Sequence, residues 1–322
     1  MGRDLAVISS KELRETEIPS FIASPGHPAA TPFRDFFFGQ IGNANTQRAY
    51  CRAVEQFLTW IAAQGLALVE IRPADVGAYL RQHPGATSIK KQHRSVIKQF
   101  LDLLVERHVC LINPPASVKT EKLRVNQGST PEIAKGEIRA VLETLQGNSL
   151  SQVRDRAAIG ILVYTACRKG AISNLRRSDF HGRPGQRALR FQEKGSNNQS
   201  AEVRHDLEAW VNEYIRQAGL GEANPASPLF RPLVRREERL QNRQVEANGV
   251  GRMVKRKLRQ AGIRTELSAH SLRVATITDL ISQGVDIASV QELAGHADAR
   301  TTKLYDRTSR RATRNLVERI SF

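Results

Sequence analysis

Acidic residues are in short supply in this chain of 322 residues: 32 Asp and Glu face 49 Lys and Arg, leaving a net charge of +17 and a pI near 10.4. A protein this basic is drawn to polyanions, of which nucleic acid is the commonest. Long apolar runs are missing, and none approaches the roughly 18 residues of a membrane-spanning helix. The N-terminal stretch MGRDLAVISSKELRE mixes acids and bases and has no apolar core of a signal peptide, and Ala6 breaks a myristoylation pattern. Cysteine is scarce: Cys51, Cys110 and Cys167 are far apart and form no Cys-x-x-Cys pair. That excludes a disulfide framework or a zinc site built on such pairs. A Gly-x-x-x-x-Gly-Lys-Ser/Thr loop is also lacking, so nucleotide-driven chemistry has no visible home. The chain reads as a cytoplasmic, nucleoid-associated protein without a cofactor or metal.

What is present is ample apolar material, 40% of residues, and enough length for about two domains. Residues 1–29 show no sustained period and are expected to be a flexible tail. Residues 30–117 are expected to form a helical domain. NANTQRAYCRAVEQFLTWIAAQG opens on a cap at Asn45 and puts Tyr50, Val54, Phe57, Leu58 and Ile61 on one stripe before Gly65. RPADVGAYLRQH is a short helix opened by Pro73. TSIKKQHRSVIKQFLDLLVERHV is a third, with Ile89, Val96, Ile97, Phe100, Leu103 and Leu104 on its apolar face. Its polar face carries Lys90, Lys91, His93, Arg94 and Lys98, nearly all positive, which suits a phosphate backbone. Pro114 and Pro115 break the pattern, and residues 118–130 read as a linker.

Residues 131–322 form the second domain. The nearly all-apolar RDRAAIGILVYTA predicts a buried helix ending in the turn CRKG. RALRFQEKGSNNQSAEVRH predicts a β-hairpin around residues 195–198. Helices return in DLEAWVNEYIRQ, NGVGRMVKRKLRQAG, SLRVATITDLISQG and DIASVQELAG. Residues 231–264 hold eleven Lys and Arg against three Glu, the densest basic stretch, and Arg252, Lys255 and Arg256 within it are candidate DNA contacts.

Six residues in this domain form a chemical set. Arg168 lies in the turn after the buried helix, Lys194 at the hairpin tip, and His270 and Arg273 share a helix face three residues apart. His296 follows in LAGHAD, and Tyr305 nine residues later among Lys303, Arg307, Arg310 and Arg311. Together these are parts for cutting a phosphodiester without metal. Two arginine forks would hold the non-bridging oxygens, Tyr305 would attack, Lys194 would protonate the leaving oxygen, and the histidines would position or shuttle protons.

This order, and above all LSAHSLRVATITDLISQGVDIASVQELAGHADARTTKLYDR, resembles the tyrosine recombinase (phage integrase) family. The pattern is His-x-x-Arg, a helix, Gly-x-Asp-Ile, Leu-x-Gly-His, Thr-Thr and Tyr. The resemblance implies a mainly helical α+β catalytic domain with a small β-sheet, and a helical core-binding domain that completes a clamp on DNA. It implies that Arg168 and Arg273 clamp the scissile phosphate, that Lys194 is the hairpin lysine, that His270 and His296 assist, and that Tyr305 forms a 3′-phosphotyrosyl bond. It further implies a homotetramer on two specific double-stranded DNA sites, a Holliday-junction intermediate, accessory DNA-bending proteins, and a C-terminal tail docked on a neighbouring protomer. Two positions depart from the family: Ala171 stands where a Glu usually follows the first arginine, and Glu193 replaces the first glycine of the lysine turn. A type IB topoisomerase using the same chemistry, and a non-catalytic DNA-binding regulator on the same scaffold, are the alternatives.

Overall fold

The computed structural model describes residues 19–22, 24, 26–121, 130–192, 198–234, 239–264, 266–296 and 302. The chain divides into two compact units, Met1–Arg124 and Val125–Phe322.

The first unit is helical. Helix α1 (Ala30–Arg34) runs into a π-helical turn at Asp35–Gln40, and α2 (Ala44–Ala63), α3 (Pro73–Gln82) and α4 (Thr87–Glu106) follow. The cap of α2 is Asn43 rather than Asn45: its Oδ1 accepts the main-chain N–H groups of Asn45 and Thr46, each at 3.1 Å. Asn45 therefore lies in the first turn, where it holds Arg48 instead. The expected stripe of α2 is buried at Val54, Phe57, Leu58 and Ile61, with Tyr50 half-buried. Phe33, Phe36, Phe37 and Phe100 gather into an aromatic cluster with ring centroids 4.4–6.1 Å apart. Each such ring contributes about 1.5–3 kcal/mol on burial.

Three sequence expectations change here. Ile22 and Ala29, assigned to the tail, are fully buried in this core. The segment packs through a single 3₁₀ turn, Ser20–Ile22, too short to show a period. Ile89, expected on the apolar face of α4, sits in its first turn beyond the core and is exposed. His93, expected on the cationic face, is buried and shares a 2.8 Å hydrogen bond between its Nδ1 and the Tyr79 hydroxyl. Burial, with His83 and Arg52 nearby, lowers its pKa to about 4, so it belongs to the core as a neutral ring.

In the second unit, α5 (Lys135–Glu143) precedes α6 (Leu150–Tyr164), which is buried along most of its length. Ser149 caps α6 by accepting the Gln152 N–H. At Gly160 a β-carbon would stand 2.8 Å from both Leu207 and Trp210, so glycine here lets α8 (His205–Gln217) lie close. Between α7 (Lys169–Asn174) and α8 comes an antiparallel sheet ordered β1–β2–β3: Phe180–Arg183, Gln186–Gln192 and Asn198–Glu202. Its register sets Phe180, Leu189 and Ala201 side by side, all buried. The β2–β3 hairpin was expected; β1, only four residues long, and the two-residue pair β4 (Leu233–Val234) and β5 (Arg239–Leu240) were not. Helices α9 (Ala247–Gln260), α10 (Ala269–Ser282) and α11 (Ile287–Ala294) complete the described fold.

One ion cluster ties α9 to α6. The fully buried Asp155 carboxylate accepts from Arg154 at 2.6 Å and from Arg256 at 2.7 Å, with Lys257 at 3.9 Å. Arg256, a candidate DNA contact, is thus drawn inward to satisfy a buried charge that would otherwise be costly.

Candidate functional site

Helix α6 ends at Tyr164, and the chain then turns through Ala166, a non-glycine residue at φ 50°. That left-handed conformation costs of order 1–3 kcal/mol and persists only where its surroundings enforce it. Here the Ala166 carbonyl accepts a hydrogen bond from Nη1 of Arg273. Two residues on, Arg168 is the N-cap of α7, extended at φ −77° and ψ 149°, with its side chain exposed. Ala171, in place of the family's glutamate, is buried in the core beneath it.

Helix α10 begins at a double serine cap: Ser268 Oγ accepts the His270 N–H at 3.3 Å, and Ser271 Oγ accepts the Ser268 N–H at 3.1 Å. This cap fixes where the helix starts and so places His270 and Arg273 one turn apart on the same face. His270 is exposed, whereas Arg273 is only 1% exposed. Nη2 of Arg273 donates to the Ala294 carbonyl at 2.6 Å, at the end of α11. One guanidinium therefore joins the turn after α6 to the end of α11, across the small apolar cluster of Ala166, Val274, Ile277, Val290 and Ala294.

Gly295 at φ 60° ends α11 and turns the chain into His296, which is buried. Its ring Nδ1 lies 2.9 Å from Oγ1 of the fully buried Thr302. Lys194 and Tyr305 lie outside the described residues, as does the C-terminal tail.

Arg168, His270 and Arg273 line one open cavity of about 660 Å³. Lys169, Arg252 and Lys255 line it too, so among the described residues its wall carries five Lys and Arg side chains and no acid. The same groups act on the histidines. Desolvation, then the charges of Arg273 and Arg168, lower the His270 pKa. Desolvation, then Arg273, Arg168 and His270, lower that of His296 to about 4. Both rings are neutral at pH 7, and the surroundings that keep them so would attract an anion. The arrangement can hold a phosphate between guanidinium forks with neutral imidazoles beside it.

The candidate DNA contacts divide. Arg252 and Lys255 are exposed at the cavity; Arg256 pairs with Asp155. On α4, Lys98 pairs with Asp102 at 2.7 Å, Arg94 donates to the Ala116 carbonyl at 3.2 Å and Lys90 to the Arg81 carbonyl at 3.3 Å. These three and Lys91 are half-buried. Sequence reasoning did not select Asn248, Ser268 or Thr302. Asn248 accepts from Lys169 at 3.4 Å on the cavity wall. The serine could have been found from its cap spacing, and Thr302 from its place in the Thr-Thr pair before Tyr305.

A model of the phage integrase family matches residues 132–311, and one of the phage integrase N-terminal SAM-like domain matches residues 38–108. The chain is 27% identical over 284 residues to the tyrosine recombinase XerD of Ralstonia nicotianae, covering 84% of this chain and 86% of that protein. Its fold is similar to that of the XerH site-specific recombinase bound to palindromic difH substrate in a post-cleavage complex. The TM-score is 0.68 at 19% identity, over 85% of this chain and 79% of that one. It is also similar in fold to a lambda integrase tetramer bound to a Holliday junction, with TM-score 0.61, 16% identity and coverage of 85% and 77%. With the first family model spanning more than half of its length, the chain belongs to the phage integrase family, the tyrosine-type site-specific DNA recombinases.

Proposed function

We propose that this recombinase exchanges DNA strands by two transesterifications through a covalent bond to Tyr305. In the first, the Tyr305 hydroxyl oxygen attacks the scissile phosphorus and yields its proton to a neutral histidine ring of the site; the phosphorus–O5′ bond breaks, and a 3′-phosphotyrosyl ester forms. Lys194 gives a proton to the departing 5′ oxygen. In the second, a 5′-hydroxyl from the partner strand attacks the same phosphorus and releases Tyr305. The bond energy stays in the phosphotyrosine, so the cycle needs no nucleotide hydrolysis. Arg168 and Arg273 stabilise the charge that builds on the non-bridging oxygens, and His270 and His296 flank the same phosphate.

The observation that carries this reading is the convergence of Arg168, His270 and Arg273 on one cation-lined cavity. Arg252 and Lys255 extend that positive wall along α9 and would follow the DNA backbone, with Lys90, Lys91, Arg94 and Lys98 as a second set on α4. Four protomers on two recombination sites, a Holliday-junction intermediate and accessory DNA-bending proteins complete the proposal. Residues 131–322 act as the catalytic domain, residues 30–117 as the core-binding domain, and the tail after Tyr305 links protomers. The test is to incubate the purified chain with fragments of its source genome in excess EDTA. The proposal requires covalent adducts at defined 3′ ends and products that depend on two sites. Relaxation of any supercoiled plasmid without site dependence would instead identify a topoisomerase.

A further inference from the structure

His296 is held on several sides. Its main-chain N–H donates to the Gln291 carbonyl at 3.1 Å, and its own carbonyl accepts from Gln291 Nε2 at 2.9 Å. With the backbone gripped, the Nδ1 edge of the ring is held by Thr302, whose Oγ1 lies 2.9 Å away. Both residues are buried, Thr302 completely, so bulk water does not substitute for this bond. A neutral imidazole has one N–H and one lone pair, and which nitrogen carries the proton is set by the bond the other makes. A threonine hydroxyl can rotate to donate or to accept. Its choice decides whether the remaining ring nitrogen is a donor or an acceptor.

We infer that Thr302 is a positioning residue that donates its hydroxyl proton to Nδ1 of His296 and thereby holds the ring proton on Nε2. The inference rests on the reading of Arg168 and Arg273 as a phosphate clamp. Beside an anionic phosphate, a ring N–H is attractive, whereas the opposite tautomer would turn a lone pair toward the anion. Burial, then the charges of Arg273, Arg168 and His270, keep the ring from taking a second proton at neutral pH, so the Thr302 hydroxyl acts on the tautomer rather than on the charge. Threonine does this with a short, β-branched side chain whose χ1 is stiff, so the hydroxyl is held in place before DNA arrives.

The tautomer is read by nitrogen NMR on the full-length chain labelled at histidine, with His296→Gln to assign the signal. The expected wild-type state at pH 7 is the Nε2-protonated neutral ring. Thr302→Val keeps the shape but removes the donor. It should leave a mixture of tautomers and slow adduct formation roughly five- to tenfold, the kinetic weight of one hydrogen bond. Thr302→Ser should restore both readouts. A wild-type ring protonated on Nδ1 overturns the inference, and so does a valine variant cleaving within twofold of wild type, or a serine variant as slow as valine. The wild-type spectrum needs no variant, so misfolding of the valine chain does not shield the inference. It also needs no DNA: failure of the phosphate clamp would show separately, as normal cleavage by Arg168→Lys.

Discussion

Replacing each arginine of the proposed clamp with lysine should damage catalysis equally and stability unequally. Lysine keeps the charge but loses the planar fork, so at either position the transition-state oxyanion loses a preorganised donor. That loss costs about 2.7–4 kcal/mol, or roughly 10²–10³ in cleavage rate. Stability separates the two because Arg273 is 1% exposed and its two terminal nitrogens serve the carbonyls of Ala166 and Ala294. One ammonium cannot satisfy both. The orphaned carbonyl costs about 1–3 kcal/mol, and if it is that of Ala166, the left-handed turn loses the bond that holds it. Arg168 is exposed, so its lysine variant should lose less stability than that of Arg273. The assay pairs urea unfolding with the rate of covalent adduct formation, measured where both variants remain folded. An Arg273→Lys chain as stable as Arg168→Lys would refute the structural role assigned to its fork. Cleavage within threefold of wild type at either position would remove that residue from the site.

Two further outcomes are expected. His93 has a folded pKa of about 4 against an ordinary value of 6.5. The unfolded chain therefore binds the extra proton in that window, and stability must fall as pH drops from 6.5 toward 4. The loss at pH 5 is about 2 kcal/mol for this residue. With Trp210→Phe leaving Trp60 as the sole reporter, beside Tyr79, the His93→Gln variant should flatten the pH dependence by about that amount; an unchanged slope would mean the ring is already charged or solvated. At the hairpin, Lys194→Ala should cleave ordinary DNA slowly, and DNA with sulfur at the bridging 5′ position at nearly the wild-type rate. That leaving group needs no proton, so equal impairment on both substrates would leave Lys194 a charge and move the acid role to His270 or His296.

Much of this architecture was legible because helices announce themselves by period and caps. The stripe of α2, Pro73 at the head of α3 and the largely apolar, buried α6 follow from residue spacing alone. His93 misled because its place on α4 faces Tyr79 of α3, a pairing between helices that periodicity along one helix does not contain. The pairing of Arg256 was hidden for the same reason, since its partner Asp155 is 101 residues away. Arg168, His270 and Arg273 converge on one cavity, and Arg273 bonds the turn after α6 and the end of α11 at once. The residue order suggested that convergence, but the geometry comes from the fold. The asymmetry of the pair, Arg273 buried and Arg168 exposed, was not readable from two identical residue types.

The most direct test of the account is the identity of the nucleophile. Purified wild-type and Tyr305→Phe chains are incubated with site-bearing DNA, denatured and digested, and the DNA-linked peptide is sequenced. The account predicts that wild type carries DNA on the peptide containing Tyr305, and that the phenylalanine chain binds DNA normally but yields no covalent adduct. DNA linked to any other residue, or adducts that survive the loss of the Tyr305 hydroxyl, would contradict it.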